Sequence, residues 1–450
     1  MKVPVTPPDY FKIINQGDGP DFLTYLKTCN AVDEKGRYLH WDKLRHHAPP
    51  EGLTVEQWWA GIKLIRLNQS KKLNFESKDG ISFNFTKTDE IEEQTHWLDK
   101  NAAGTIKSSF PIDAKSGMKK EYIIKSLIRE ATTSSQIEGA TTTREVAKEM
   151  ILQDRAPKNH SEQMIYNNYH AMEFILENKS EPLTLSMVLE LHKILTTNTL
   201  KDEKKAGVFR TVKDADIYVA DEVTNKVLHL PPGAKGIEKR IERLCRFANG
   251  QGNGFIHPVL KAIILHFMLA YEHPFIDGNG RTARALFYWA MINEGYWLTE
   301  FISISQVIKR SQTQYAKAFL YTETDSNDLT YFILHQLDVI KKAISELHEY
   351  LSERTQRIQE AQELLLGATL KKELNLRQLS LLHHALANPN FIYNINQYKR
   401  NYAIAYDTAR KDLLQMSDEF SFLRKLKDGK TLVFLAPADL KERIEKMKKI

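Results

Sequence analysis

The stretch from Pro258 to Gly295 constrains this chain more than any other. Its first part, Pro258 to Glu272, is an apolar run too long for a typical strand, so it reads as a helix. The loop His273-Pro274-Phe275-Ile276-Asp277-Gly278-Asn279-Gly280 follows, and a second helix runs from about Arg281 to Glu294, ended by Gly295. Gly278 and Gly280 permit positive φ and close backbone approach. The free N–H groups and positive dipole end of the second helix point back at them, which makes the loop a cradle for phosphate.

Charge placement asks for the same ligand. Arg281 and Arg284 lie three apart in the first helical turn, where the macrodipole disfavours a cation, so an anion should face them. His273, at the other end of the loop, can accept a proton near neutral pH, and Asp277 can hold Mg²⁺ against phosphate oxygens. A lone histidine is more often structural, and an Asp before Gly more often shapes a turn. Their company with the cradle inside twelve residues favours the chemical reading. Gly278 to Ala283 also fits the G-x-G-x-x-A dinucleotide fingerprint, but no strand precedes it and no strand–helix alternation surrounds it. No GxxxxGK[ST] sequence occurs, which excludes a P-loop.

Helical periodicity dominates from Glu121 to about Tyr350, beginning with the stripe Ile123, Ile124, Leu127, Ile128 and Ala131. One exception interrupts it: Ile217 to Val219 and Val227 to Leu230 flank Asp221 to Lys226 like a β-hairpin, closed by Pro231-Pro232. Upstream, Trp-rich helical text (Val55 to Leu67) and an alternating segment (Ile81 to Phe85) lead to a loose stretch, Ala102 to Ser116. Downstream, a long charged helix from Leu329 to about Leu364 precedes three short helices: Leu376 to Leu386, Tyr393 to Arg400 and Ala403 to Met416. Two strands follow, Phe420 to Leu426 and Thr431 to Leu435. The expected fold is mainly α. Residues 1–115 form an α+β accessory region, 116–350 a helical bundle with the hairpin at about 213–230, and 351–450 a linker helix with a winged helix-turn-helix.

Lys and Arg total 63 against 57 acidic residues, and a net charge of +6 does not by itself mark a nucleic-acid or membrane protein. The excess is C-terminal, since residues 371–450 carry 16 basic and 9 acidic side chains. Cys29 and Cys245 match neither a disulfide framework nor a metal-ligand spacing. The start MKVPVTPPDYF has no apolar signal core, and no stretch reaches the ~20 residues of a membrane span. These features lead to the expectation of a soluble cytoplasmic protein with no membrane partner.

His273 to Arg284 resembles the Fic domain, whose hallmark is HPFx[DE]GNGRxxR between two helices. Every specified position is present, and the resemblance covers about residues 120 to 330. It implies transfer of AMP from ATP, with Mg²⁺, to a Ser, Thr or Tyr hydroxyl of a target protein. Carried over, His273 is the base, Asp277 the Mg²⁺ ligand, and Gly278, Asn279 and Gly280 the phosphate nest. Thr282 and Ala283 belong to the same nucleotide site, and Arg281 and Arg284 hold the distal phosphates. Related Doc-like kinases resemble this pattern with Lys in place of Gly280, which lowers the kinase reading. The hairpin resembles the family's flap, with Val227, Leu228 and His229 offering an edge to an extended target segment. Tyr315 is a candidate for stacking on adenine. Such transfer needs positioning, charge neutralisation and a deprotonated hydroxyl more than a covalent nucleophile.

Ser134 to Gly139 matches [ST]xxxE[GN], which in similar Fic proteins marks an inhibitory helix, here about 121–138. Glu138 reads as a helix end with Gly139 beyond it, because Thr142 to Glu145 is the capping box that heads the next stripe. A glutamate at a helix C-terminus opposes the macrodipole as an arginine at an N-terminus does. Pairing Glu138 with Arg284 settles both, and takes the arginine that the γ-phosphate requires. Three other readings stay open: removal of AMP from modified proteins, transfer of a different phosphoryl group, and DNA binding as the main act. In the C-terminal region Tyr402 to Met416, with Thr408, Arg410 and Lys411, resembles the second helix of a winged helix. Arg424, Lys425, Lys427 and Lys430 crowd its wing. DNA phosphate contact and protein interaction or homodimerisation suit that region equally.

Overall fold

The computed structural model describes residues 2–15, 21–103, 118–214, 217–221, 224–252, 254–366, 373–428 and 431–447. Most of the loose stretch expected after Ala102, residues 222 and 223 of the hairpin and residues 429 and 430 of the wing lie outside them. The chain divides into two compact units. The first comprises Met1–Gly104, Arg129–Thr143 and Pro157–Ala343; the second comprises Thr105–Ile128, Arg144–Ala156 and Ile344–Ile450.

The first unit is built on two helices, Pro258–Glu272 and Asn279–Asn293, with 12 and 13 of their 15 residues buried. Burial on every side explains why neither carries a polar face. The helices His160–Glu177, Leu185–Thr196 and Ile237–Ala248 pack around this pair. The second core helix begins two residues earlier than its sequence suggests, because Gly278 at φ +79° serves as the N-cap. Gly295 at φ +87° follows its other end, as expected of a glycine after a helix. The hairpin is real but short, pairing Val219–Ala220 with Val227–His229.

Residues of the N-terminal region belong to this same unit. The helix Val55–Gln69 opens on a Thr54–Gln57 capping box and buries Trp58, Trp59 and Ile62. Strand Ser82–Thr86 pairs antiparallel with Ser70–Glu76, a partner the sequence reading did not find because Lys71, Lys72 and Glu76 break the apolar alternation. Phe83 packs edge-on against Phe267 and Tyr271, with ring centroids 5.8 and 5.0 Å apart. Lys63 Nζ meets Asp325 Oδ1 at 2.8 Å with both side chains buried. Removing one partner of such a pair strands a charge and costs about 3–5 kcal/mol.

In the second unit, the helices Leu376–Ala387, Ile395–Tyr402, Tyr406–Leu414 and Leu440–Met447 surround a core that includes Leu382, Tyr398, Leu413, Phe420 and Phe434. Beside them lies a three-stranded antiparallel sheet in the order Ile392–Asn394, Thr431–Leu435, Arg424–Asp428. The first of these strands takes residues assigned from sequence to a helix. Asn394 ends it by capping the next helix, its side chain accepting from Gln397 N–H at 2.7 Å. The last strand begins at Arg424 and not Phe420, because Phe420, Phe422 and Leu423 turn into the core. Lys425 and Arg424 each face a carboxylate, Asp418 at 2.8 Å and Asp439 at 3.8 Å.

Among the described residues no helix is long and apolar enough to cross a membrane. Cys29 and Cys245 are both free and buried.

Candidate active site

His273 closes the helix Pro258–Glu272 in the left-handed region, φ +46°. Its Nδ1 lies 3.2 Å from Ala270 O, which can only accept. Nδ1 is therefore assigned the proton and Nε2 is left to accept one. Burial depresses the pKa of His273 to about 4, so the ring is neutral at pH 7. The loop beyond it is closed on itself by Asn279, whose side-chain amide accepts from Phe275 N–H and donates to Phe275 O, both at 2.9 Å. Arg210 clamps the loop from outside, donating to His273 O at 2.7 Å and Pro232 O at 2.5 Å.

Two glycines in this loop are closely approached by side chains. A Cβ on Gly278 would stand 2.7 Å from Thr196 Cγ2. His192, on the helix Leu185–Thr196, stacks on Phe275 with centroids 3.6 Å apart and planes 4° from parallel. Its Nδ1 accepts from Gly207 N–H at 3.0 Å, so Nε2–H donates to Asp277 O at 2.9 Å and pins the loop. A Cβ on Gly280 would overlap the carboxylate oxygen of Glu138. That carboxylate sits against the N-terminus of the helix Asn279–Asn293, the position where an anion is favoured.

Glu138 arrives there through a matched pair of helical ridges. The helix Met118–Ile137 presents Glu130, Ser134 and, just past its end, Glu138; the helix Asn279–Asn293 presents Tyr288, Arg284 and Gly280. Both sets step by four residues, so each lies along one face and the rungs meet in order. Tyr288 OH donates to Glu130 at 2.8 Å, Arg284 Nε to Ser134 Oγ at 2.9 Å, and Arg284 Nη2 to Glu138 Oε1 at 2.8 Å. Glu130 is buried and also accepts from the Ser303 hydroxyl at 2.7 Å and from Ser305, which fixes the register of the upper rung. The side chain of Arg284 is 2% exposed and that of Glu138 28% exposed. Burial alone would raise the Glu138 pKa, but the guanidinium groups of Arg284 and Arg281 outweigh it and hold the carboxyl below its ordinary value. Burial likewise works against the charge of Arg284, and Glu138 reverses the effect.

A cavity of about 250 Å³ runs past these groups, lined among others by Glu138, Leu228, His229, His273, Arg284 and Tyr315. Its volume is below the roughly 300–1,000 Å³ of ordinary small-molecule sites. His229 ties the hairpin to its base, with Nε2 2.8 Å from Tyr271 O and Nδ1 2.7 Å from Glu323. Val227 stays exposed. Tyr315 lines the wall with its hydroxyl 2.8 Å from His266 Nε2.

Other residues singled out from sequence stand apart from that cavity wall. Arg281 is buried and donates to Leu195 O at 2.9 Å, with Nη2 3.7 Å from Asp277. Thr282 and Ala283 are fully buried, and the Thr282 hydroxyl donates to Gly278 O. Asp277 keeps a side chain 57% exposed. Among the described residues no group of three or more His, Cys, Asp or Glu could hold a metal alone. Mg²⁺ commonly takes one or two carboxylates with phosphate oxygens and water, so an exposed Asp277 beside the glycine cradle fits that chemistry. His192, Arg210 and Glu130 escaped the sequence reading. The signal for Glu130 was its place four residues before Ser134; His192 and Arg210 lie 81 and 63 residues before His273, with no local cue.

Residues 182–291 match the Fic/DOC family. The protein adenylyltransferase Fic of Nematostella vectensis is 27% identical over 195 residues, 42% of this chain and 42% of its own length. Its counterpart in Drosophila grimshawi is 33% identical over 114 residues, 25% of this chain and 21% of its own length. The chain thus spans less than half the length of these curated relatives. A Fic family protein from Desulfovibrio desulfuricans G20 shares the fold, with a TM-score of 0.50 and 16% identity over 78% of this chain and 97% of that one. With the motif, the loop geometry and the fold in agreement, residues 182–291 of the chain carry a Fic domain.

Proposed function

We propose that this chain is a self-inhibited protein adenylyltransferase, which transfers AMP from ATP to a Ser, Thr or Tyr hydroxyl of a target protein. The observation that carries the reading is the Glu138 carboxylate, seated on Gly280 and paired with Arg284 beside His273. A site that holds a carboxylate on a helix N-terminus and a buried guanidinium is a site for phosphate oxygens. Displacement of Glu138 gives the nucleotide its arginine and enlarges the cavity.

In the reaction, the target hydroxyl oxygen attacks the α-phosphorus of ATP. Its proton passes to His273 Nε2, the bond to the bridging oxygen breaks, and pyrophosphate leaves. His273 suits this step because it is neutral and its Nδ1–H is fixed by Ala270 O. Arg284 would bind the γ-phosphate, and backbone N–H groups at Gly278 to Gly280 the inner phosphates. Bound Mg²⁺, held by Asp277, would supply charge neutralisation on the phosphates. The hairpin edge at Val227 to His229 would align an extended target segment by strand addition. We read the C-terminal helices and sheet as a winged-helix-like interaction module.

Incubating the Glu138→Gly variant and the unmodified chain with labelled ATP tests the proposal. Label should enter protein at least tenfold faster with the variant; equal, negligible labelling of both overturns the assignment. A second reading, removal of AMP from modified protein, is favoured by the partial exposure of Glu138 towards the His273 cavity, where a carboxylate can orient water. Loss of AMP from premodified protein without ATP, abolished by Glu138→Gly, distinguishes it.

A further inference from the structure

The second unit contains a larger cavity, about 720 Å³, to which nothing above assigns a role. Its volume lies within the roughly 300–1,000 Å³ of small-molecule sites. Four cations line it, Lys125, Lys148, Arg354 and Arg357, against one carboxylate, Glu121. Arg357 is matched by Glu353 at 3.2 Å. Glu121 is shared, because Arg354 grips both its oxygens at 3.1 and 3.0 Å and Lys125 also reaches Oε1. Three cations on one carboxylate leave two positive charges unmatched. That excess equals the charge of a phosphate monoester dianion.

A further observation points to a missing anion. Lys148, exposed on the cavity wall, makes no hydrogen bond or ion pair among the described residues, and its pKa is depressed, first by desolvation and then by the charges of Lys125 and Arg144. The remaining wall is of a different kind: Tyr350, Phe391 and Tyr393 supply aromatic rings, and Asn394, Gln397 and Asn401 supply amides. Rings that stack and amides that both donate and accept are what proteins use to hold a single nucleobase.

We infer that this cavity is a second ligand site, which takes a nucleoside monophosphate. Its phosphate lies on Lys125, Lys148 and Arg354, and its base against the aromatic and amide wall. This site is independent of the adenylyl-transfer reading. It is tested by photolabelling the full chain with 8-azido-AMP and mapping the attached peptides by mass spectrometry, with unmodified AMP and inorganic phosphate as competitors. Lys148 and Gln397 are exposed, so Lys148→Glu and Gln397→Glu preserve the core while adding negative charge to the pocket. Label is expected on the peptide spanning residues 388–402, with AMP competing at least tenfold better than phosphate. Each variant should lose at least tenfold in labelling with an unchanged melting temperature. Label confined to peptides around Tyr315 and His273, labelling undiminished in both variants, or phosphate competing as well as AMP overturns the inference.

Discussion

Replacing Glu138 with glycine should tighten ATP binding by an amount the geometry sets. The pair it breaks is a charge-assisted hydrogen bond of 2.8 Å on a guanidinium 2% exposed. Hydrogen bonds to charged groups contribute about 1.5–3 kcal/mol net, and a nucleotide that must displace the carboxylate forfeits that much. At ~1.4 kcal/mol per factor of ten, ATP should bind about ten- to a hundredfold more tightly to the variant. Titration calorimetry in a His273→Ala background measures this without turnover. Ser134 remains on Arg284 through Nε and Nη2, so the guanidinium stays oriented when Glu138 is gone. Glu138→Gln, which keeps the bulk over Gly280 but not the charge, should fall between the two. Adding Arg284→Ala to Glu138→Gly should cancel the gain, because the released arginine is what the phosphate exploits. An ATP affinity unchanged within twofold in Glu138→Gly refutes the competition for Arg284.

Three further outcomes follow from the same geometry. His273→Ala should abolish transfer with ATP affinity preserved, since in the proposed mechanism Nε2 takes the proton of the target hydroxyl; calorimetry that shows both lost together assigns His273 to the nucleotide instead. Proline at Val227 or Leu228 removes a strand N–H or distorts the hairpin, so target labelling should fail while ATP binding persists; undiminished labelling removes the hairpin from docking. Stability should fall as pH drops from 7.5 to 5, because burial holds His40 and His192 at about 4 and His266 at about 3. The unfolded chain, with ordinary histidines near 6.5, takes up more protons across that window, at a cost of about 2 kcal/mol per histidine at pH 5. Urea midpoints that are flat or rise towards pH 5 contradict this.

The helix–loop–helix around His273 was legible because its signals are local: an apolar run, two glycines and a closing Gly295. The Glu138–Arg284 pair was legible for another reason. Each charge stands at the wrong end of its own helix, and a misplaced charge demands a partner wherever the partner lies in sequence. The helix Met118–Ile137 and the helix Thr330–Leu365 came within a few residues of their expected limits, since long periodic segments carry many concordant positions. What failed was non-local. Ser70–Glu76 reads as charged text until its pairing with Ser82–Thr86 is seen, and Ile392–Asn394 becomes a strand only through its pairing with Thr431–Leu435. Arg281 also donates to Leu195 O, a contact no spacing announces. His192 and Arg210 shape the loop from His273 to Gly280 through backbone carbonyls, and backbone acceptors leave no mark on sequence.

The most direct test of the central claim compares α-labelled with γ-labelled ATP in the Glu138→Gly variant, with intact-mass analysis of the labelled protein. Adenylyl transfer predicts that the α-label enters protein with the mass of one AMP, that the γ-label departs in pyrophosphate, and that His273→Ala stops both. Retention of the γ-label on protein, or no protein label from either nucleotide, contradicts the account.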